Sequence, residues 1–365
     1  MTDAPNPAPA PSENTSPLRL LAVVIGLGIV GLLVYQLTLS SVGAPPATEN
    51  LTMRTIGLTS PISNRLDPAF VDTNADLVAD APADEADRLD PDTLIFSFIA
   101  TPQDAERYLT VFADFADHLT SKVGRTVEIQ TFTSTDEQLL ALRNGSLHIT
   151  MFNTGSVPIA VNAAGFVPVA APGTDAPQAY RMLIIAPPGS PVNQITDLRG
   201  RELTVTRPTS NSGFKAPLVL LFSDYSMKPN EDFLISHSWG HENSIRSVVA
   251  GDATAAAVAS DLLDRMIAAG EVSSADFEVV YKSELFPSAA IGYSARLTAD
   301  LKQALDAAIA EFDFTDTSVA TEYPDSRANR FAPVSYKDDF ALVRRIDDAI
   351  GFEHKLTTPA VAPIN

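Results

Sequence analysis

The sequence predicts an α/β domain of two lobes, preceded by one N-terminal transmembrane helix, and three observations carry that expectation. From Thr93 onward, short apolar strand-like runs alternate with amphipathic helical stretches, the pattern of βαβ units around a largely parallel sheet. Two crossover points follow, one at Pro187-Pro188-Gly189-Ser190-Pro191 and one where the chain returns near Glu284 to Tyr293, so one lobe is assembled from two separated pieces. Leu20 to Leu39 is a run without charge. At about 1.5 Å per residue it is long enough to cross a hydrocarbon core of roughly 30 Å.

Taken in order, residues 1–17 form a Pro-rich tail, expected to lie in the cytoplasm, and residues 18–40 the transmembrane helix. Arg19 precedes the span and no Lys or Arg follows until Arg54, so the excess of positive charge places the N-terminus inside and the rest of the chain outside. A cleaved signal peptide ending near Val42-Gly43-Ala44 is the competing reading. The retained anchor is favoured because the apolar run exceeds the usual core of about 7 to 15 residues. Gly26-Leu27-Gly28-Ile29-Val30-Gly31 fits G-x-G-x-x-G but lies inside the apolar span, with no preceding strand, and is not a dinucleotide site.

Residues 41–92 read as an acidic, Pro-containing linker that repels itself and stays extended. Asp72-Thr73-Asn74-Ala75-Asp76 begins like a calcium loop, but Leu77 and Ala83 stand where glycine and glutamate are needed, so it reads as solvated linker. The first lobe is expected from residues 93–186 and 284–352, and the second from 187–283. A strand Leu94–Ile99, a helix from about Asp104 to Val123, a strand Val127–Phe132 and a helix ending at Asn144-Gly145 open the first lobe. The strand Tyr180–Ala186 closes its first part, and helices Leu301–Phe312 and Phe340–Ile350 complete it. Residues 353–365 are a tail.

Composition excludes several functions. The chain has 365 residues, a formal net charge of −20 and a pI of about 4.5, so no basic stripe is available for nucleic acid. It has no cysteine, which removes disulfides, thiolate zinc sites, cysteine nucleophiles and the lipid-attachment cysteine of many extracytoplasmic proteins. His237 and His241 lack a third ligand, and Trp239-Gly240 breaks any helix that would align them, so no metal site is expected. No G-x-S-x-G, H-E-x-x-H or P-loop pattern occurs in the soluble part. Neither an enzyme nor a cofactor is expected.

The informative stretch is Thr209-Ser210-Asn211-Ser212-Gly213-Phe214, between the strand-like Leu203–Thr206 and the apolar helix Pro217–Phe222. Hydroxyl and amide side chains at a helix start add donors to the unpaired backbone N–H groups and the positive end of the helix dipole, which suits an oxyanion. Roughly thirty residues on come Trp239-Gly240-His241-Glu242-Asn243-Ser244 and, after an alanine-rich strand, Ser260-Asp261-Leu262-Leu263.

Together with Phe96-Ser97-Phe98, Ala105-Glu106-Arg107-Tyr108 and Leu140–Gly145, these motifs resemble the periplasmic phosphate, phosphite and phosphonate binding proteins of ABC transporters, over about Thr93 to Phe314. The resemblance implies a type II periplasmic-binding-protein clamshell whose second lobe points three helix starts at the ligand. It implies that Ser210, Asn211 and Ser212 form the anion loop, that His241 contacts ligand, that Asp261 is the cleft acid and that Tyr180 is the interlobe tyrosine. Lys215 beside the loop adds charge to the site or, more simply, is a surface lysine. Thr135 stands where many relatives carry a ligand-contacting tyrosine, and Pro287-Ser288-Ala289-Ala290 replaces an acid-containing turn. Both departures favour a compact oxyanion such as phosphate or phosphite over an aminoalkylphosphonate. The expected protein is a membrane-tethered monomer on the extracytoplasmic side, capturing a small phosphorus oxyanion for an ABC permease. The alternative is a ligand-sensing receptor domain that signals to a membrane partner.

Overall fold

Thr93–Ile99 is apolar on both faces, as a strand needs to be when helices cover it on either side, and it becomes an interior strand of the first sheet. The computed structural model describes residues 66–100, 103–324 and 326–350, all within one structural unit that spans Thr52–Asn365. The expected transmembrane helix at 18–40 and the tails at 1–17 and 353–365 lie outside the described residues. Among those residues, no helix is long and apolar enough to cross a membrane.

In chain order the strands are β1 (Thr93–Ile99), β2 (Thr126–Phe132), β3 (Ile149–Phe152), β4 (Phe166–Gly173), β5 (Ala179–Ala186), β6 (Glu202–Val205), β7 (Leu234–His237), β8 (Ala256–Ala259), β9 (Glu278–Pro287), β10 (Ala290–Ser294) and β11 (Arg330–Pro333). The helices are α1 (Ala105–Val111), α2 (Ala113–Val123), α3 (Thr135–Asn144), α4 (Val157–Ala164), α5 (Ala216–Tyr225), α6 (His241–Val249), α7 (Ser260–Ala268), α8 (Ala299–Glu311), α9 (Ser318–Glu322), α10 (Tyr336–Asp339) and α11 (Ala341–Ile350). The expected helix from Asp104 to Val123 is two helices, because Phe112 leaves helical geometry at φ −99°, ψ 5°.

Two mixed sheets result. The first has the order β11-β4-β10-β3-β1-β2 and the second β7-β6-β8-β5-β9. The βα units give parallel pairing of β1 with β2 and β3, and of β6 with β7 and β8. Strands on either side of a crossing between lobes run antiparallel: β10 against β3 and β4, β5 against β8 and β9.

Three expectations need correction. The strand Tyr180–Ala186, assigned to the first lobe, pairs with β8 and β9 and so belongs to the second sheet. The forward crossing is therefore residues 174–178, where Gln178 N bonds back to Pro172 O, and the return crossing is Ser288-Ala289, where Ser288 N bonds Gln178 O. Residues 66–92, expected as extended tether, dock on the first lobe: Asp67 N bonds Asn162 O, the Arg143 guanidinium pairs with Asp67, and Leu89 bridges Leu297. The Asp72 carboxylate is spent on the amides of Ala75 and Leu77, and Asp80 on Thr73. Finally α11, placed wholly in the first lobe, packs on α4 of that lobe and more extensively on α5 of the second. Its apolar residues Val343, Ile346 and Ile350 are buried along that shared face.

Candidate functional site

β6 ends at Val205, and the chain passes through Thr206–Ser210 into a π-helical turn, Asn211–Lys215, that continues as α5. Ser210 is the cap: its backbone is extended, and its Oγ accepts from Gly213 N at 3.1 Å, the bond that makes serine a preferred residue at helix starts. Gly213 has no room for a side chain, since a Cβ there would lie 2.1 Å from Thr206 Oγ1 and 2.8 Å from His241 Cε1. β8 leads directly into α7 in the same way, and α6 begins just after β7. The three helix starts open on one cleft of about 540 Å³ lined by both lobes, with the positive ends of their dipoles toward it.

His241 has both ring nitrogens engaged by the protein. Nδ1 faces Ala259 N at 3.2 Å, and because an amide can only donate, Nδ1 is unprotonated. Burial holds the imidazole pKa down to about 4, so the neutral ring carries its proton on Nε2 and donates it to Ser210 Oγ at 3.2 Å. Ser210 Oγ thus accepts from both Gly213 and His241, and its own hydrogen remains as a donor. His241 sets the direction of that hydroxyl.

Tyr180, at the start of β5, is buried beneath the loop. Its hydroxyl accepts from Asn211 Nδ2 at 3.4 Å, and burial pushes its pKa up, so it stays protonated. Thr154 of the first lobe donates to Pro287 O at 2.9 Å beside the return crossing, a contact between the two lobes. Asp261, in the first turn of α7, keeps solvent exposure within the cleft. The surrounding protein raises its pKa, and Arg265 opposes that shift. Thr135 follows the capping Ser134 at the start of α3 and lines the cleft from the first lobe. Every site residue expected from the sequence therefore borders the same cleft: Ser210, Asn211, Ser212, His241, Asp261, Tyr180 and Thr135.

Lys215 does not conform to either reading given to it. It is 1% exposed, its ammonium pairs with the Asp347 carboxylate of α11 and donates to Gly155 O at 2.8 Å. It stands behind the loop and joins both lobes to the C-terminal helix.

The cleft also holds residues that sequence reasoning passed over. Arg207 and Arg265 bring two guanidinium groups, and Arg265 lies over the ring of Tyr323 at 5.6 Å, joining α7 to the first lobe. Arg265 was within reach, because it is four residues after Asp261 and shares its face of the helix. Trp239 lines the cleft from the second lobe while 58% exposed. Among the described residues, Gln138 Oε1, Thr206 Oγ1, Asn211 Oδ1 and Ser288 Oγ are buried without a hydrogen-bond partner, and all four residues line the cleft. Buried polar atoms are usually paired, so their concentration here makes the cleft the candidate binding surface, although Ser156 Oγ and Tyr336 Oη are unpaired outside it. Among the described residues no cluster of metal-ligating side chains occurs.

Known structures share this architecture. A binding protein component of an ABC phosphonate transporter from Pseudomonas aeruginosa is 17% identical with a TM-score of 0.58, covering 71% of this chain and 86% of that one. PhnD1 from Prochlorococcus marinus, in complex with methylphosphonate, is 16% identical with a TM-score of 0.58, covering 70% and 97%. A Xanthomonas citri protein bound to ATP is 15% identical with a TM-score of 0.60, covering 71% and 98%. At these identities the likeness establishes the fold. A sequence profile goes further, matching residues 98–340 to the phosphonate-specific periplasmic substrate-binding proteins of ABC transporters. That match takes in the second sheet, the first sheet apart from most of β1, and every residue of the cleft named above, and the chain belongs to this family of substrate-binding transport proteins, which are not enzymes.

Proposed function

We propose that this protein captures the oxyanion head of a phosphorus compound at the Ser210–Ser212 loop and presents it to an ABC permease, held at the membrane by the segment 18–40. The observation that carries the reading is the orientation of the Ser210 hydroxyl. Gly213 and His241 occupy its acceptor positions, which leaves a fixed donor at a helix start. Donors arranged in advance need no reorganisation when an anion arrives. Each hydrogen bond to a charged head contributes about 1.5 to 3 kcal/mol, so a few suffice for micromolar affinity. Arg207 and Arg265 supply compensating charge, which a protein of net charge −20 needs near an anion site.

Asp261 then faces the ligand's protonated oxygen. A carboxylate beside an anion repels it unless the ligand brings a hydrogen-bond donor, as monoprotonated phosphate, phosphite and alkylphosphonate do and sulfate does not. Methylphosphonate in the Prochlorococcus marinus complex is a ligand of this type. Isothermal titration of the full chain with methylphosphonate, phosphate, phosphite and sulfate tests the reading. Binding of at least one phosphorus anion with sulfate excluded is expected; heat from sulfate alone, or from none of the four, would count against it.

A further inference from the structure

The cleft is larger than a compact anion needs. Methylphosphonate has five heavy atoms, and if each takes less than a water molecule's share of about 30 Å³, the whole ligand needs under about 150 Å³. The cleft measures about 540 Å³. The lobes on either side of it meet at two places. Gly155 of the first lobe lies against the Thr209–Asn211 backbone, where an added Cβ would be 2.3 Å from Thr209 O and 2.5 Å from Asn211 N. Tyr323 of the first lobe lies beneath the Arg265 guanidinium at 5.6 Å.

The remaining space is walled by aromatic side chains. Phe98, Tyr108 and Phe112 border the cleft and pack on one another, with ring centroids 5.7 Å apart for Phe98 and Tyr108 and 4.8 Å for Phe98 and Phe112. From the second lobe comes Trp239, 58% exposed, its ring stacked on His237 at 5.0 Å. Its backbone has φ +65°, a left-handed conformation that is costly for a bulky L-residue and cheap for glycine or asparagine. Neither burial nor backbone comfort accounts for tryptophan there. Water gains little against such a wall, whereas a flat ring gains from stacking and from leaving water.

We infer that the ligand carries an aromatic ring on its phosphorus head, the head at Ser210–Ser212 and the ring in the slot between Trp239 and the Tyr108–Phe112 wall. This rests on the oxyanion reading and specifies its substrate class. The shared chemistry is a PO₃ group joined to an aromatic ring, directly through carbon or through an ester oxygen.

The test is calorimetric titration of the full chain with inorganic phosphate, methylphosphonate, cyclohexylphosphonate, phenylphosphonate and phenyl phosphate. The structure predicts that the phenyl compounds bind at least about tenfold more tightly than methylphosphonate, and more tightly than the cyclohexyl compound, which has the bulk without the flat ring. The two phenyl probes separate a carbon-linked from an ester-linked head. In Trp239→Asn, where the new residue tolerates the positive φ, the phenyl-to-methyl affinity ratio is expected to fall by most of its excess while the melting temperature holds. Tyr108→Leu should lower the same ratio from the opposite wall. Equal affinities across the phosphonates, or a phenyl advantage undiminished in both variants, would overturn the ring slot and leave oxyanion capture standing. If no phosphorus compound binds, oxyanion capture fails and the ring slot fails with it.

Discussion

Lys215 and Asp347 form an ion pair whose removal has a calculable effect. The lysine side chain is 1% exposed and the aspartate 10%, so neither charge is well solvated when its partner is lost. Breaking a buried pair from one side leaves an uncompensated charge and costs about 3 to 5 kcal/mol. Lys215→Met keeps the stem's volume, removes the ammonium and also releases the Gly155 carbonyl. Asp347→Leu removes the other partner. For a unit of this size each kcal/mol corresponds to about 2 to 4 °C, so each single variant is expected to melt on the order of 10 °C lower. The double variant replaces two buried charges with apolar groups of similar volume and should recover most of that loss. Urea unfolding of the full chain followed by circular dichroism gives the double-mutant cycle. If the single losses are below about 1 kcal/mol, or if they add in the double variant, the pair is not the buried and coupled contact described above.

Three further outcomes are expected. His241 has its pKa depressed to about 4 from an ordinary 6.5, so the unfolded chain binds more protons than the folded one below pH 6.5. Its stabilising effect is therefore complete above that pH and is lost as pH falls toward 4, by on the order of 3 kcal/mol; a His241→Gln variant with the same pH profile would show that the ring is not held neutral. Replacing Ser210 and Ser212 with Ala should abolish anion binding while the lost Ser210 cap costs about 0.5 to 2 kcal/mol of stability, and unchanged affinity in the folded double variant would remove the loop from the site. Asp261→Asn should admit sulfate more than it weakens binding of a phosphorus anion, because the repulsive carboxylate is gone; competition titration that still excludes sulfate would assign the discrimination elsewhere.

The parts of this fold that were legible in the sequence are those fixed by local signals. The strand expected at Val127–Phe132 forms at Thr126–Phe132, and the helix expected to stop at Gly145 does so with that glycine at φ +84°. The helix start at Ser210 was readable from its own cap, and the starts at His241 and Ser260 from the family resemblance. What escaped depends on distant partners. Tyr180–Ala186 is a buried apolar run that would suit an interior position in either sheet, and only its pairing with β8 and β9 decides which. Lys215 reads as a surface residue because its counterion lies 132 positions away. Leu66, Leu77 and Val78 pack on the core without any period that would distinguish their segment from linker. The task of His241 depends on the amide of Ala259, 18 residues on, a contact no motif encodes.

The Gly155 contact bears on how the two lobes are held together. A clamshell whose halves drift apart is competent to bind only for a fraction of the population, and its apparent affinity is weakened by that fraction. Here the first lobe lies against the Thr209–Asn211 backbone at a position with no space for even a methyl group, and the Gly155 carbonyl is held by Lys215 at 2.8 Å. A ligand held at this loop would sit beside a seam that already joins the two lobes. An alanine at Gly155 would press its Cβ against Thr209 O and Asn211 N, so it is expected to displace the loop and loosen the seam between the lobes together.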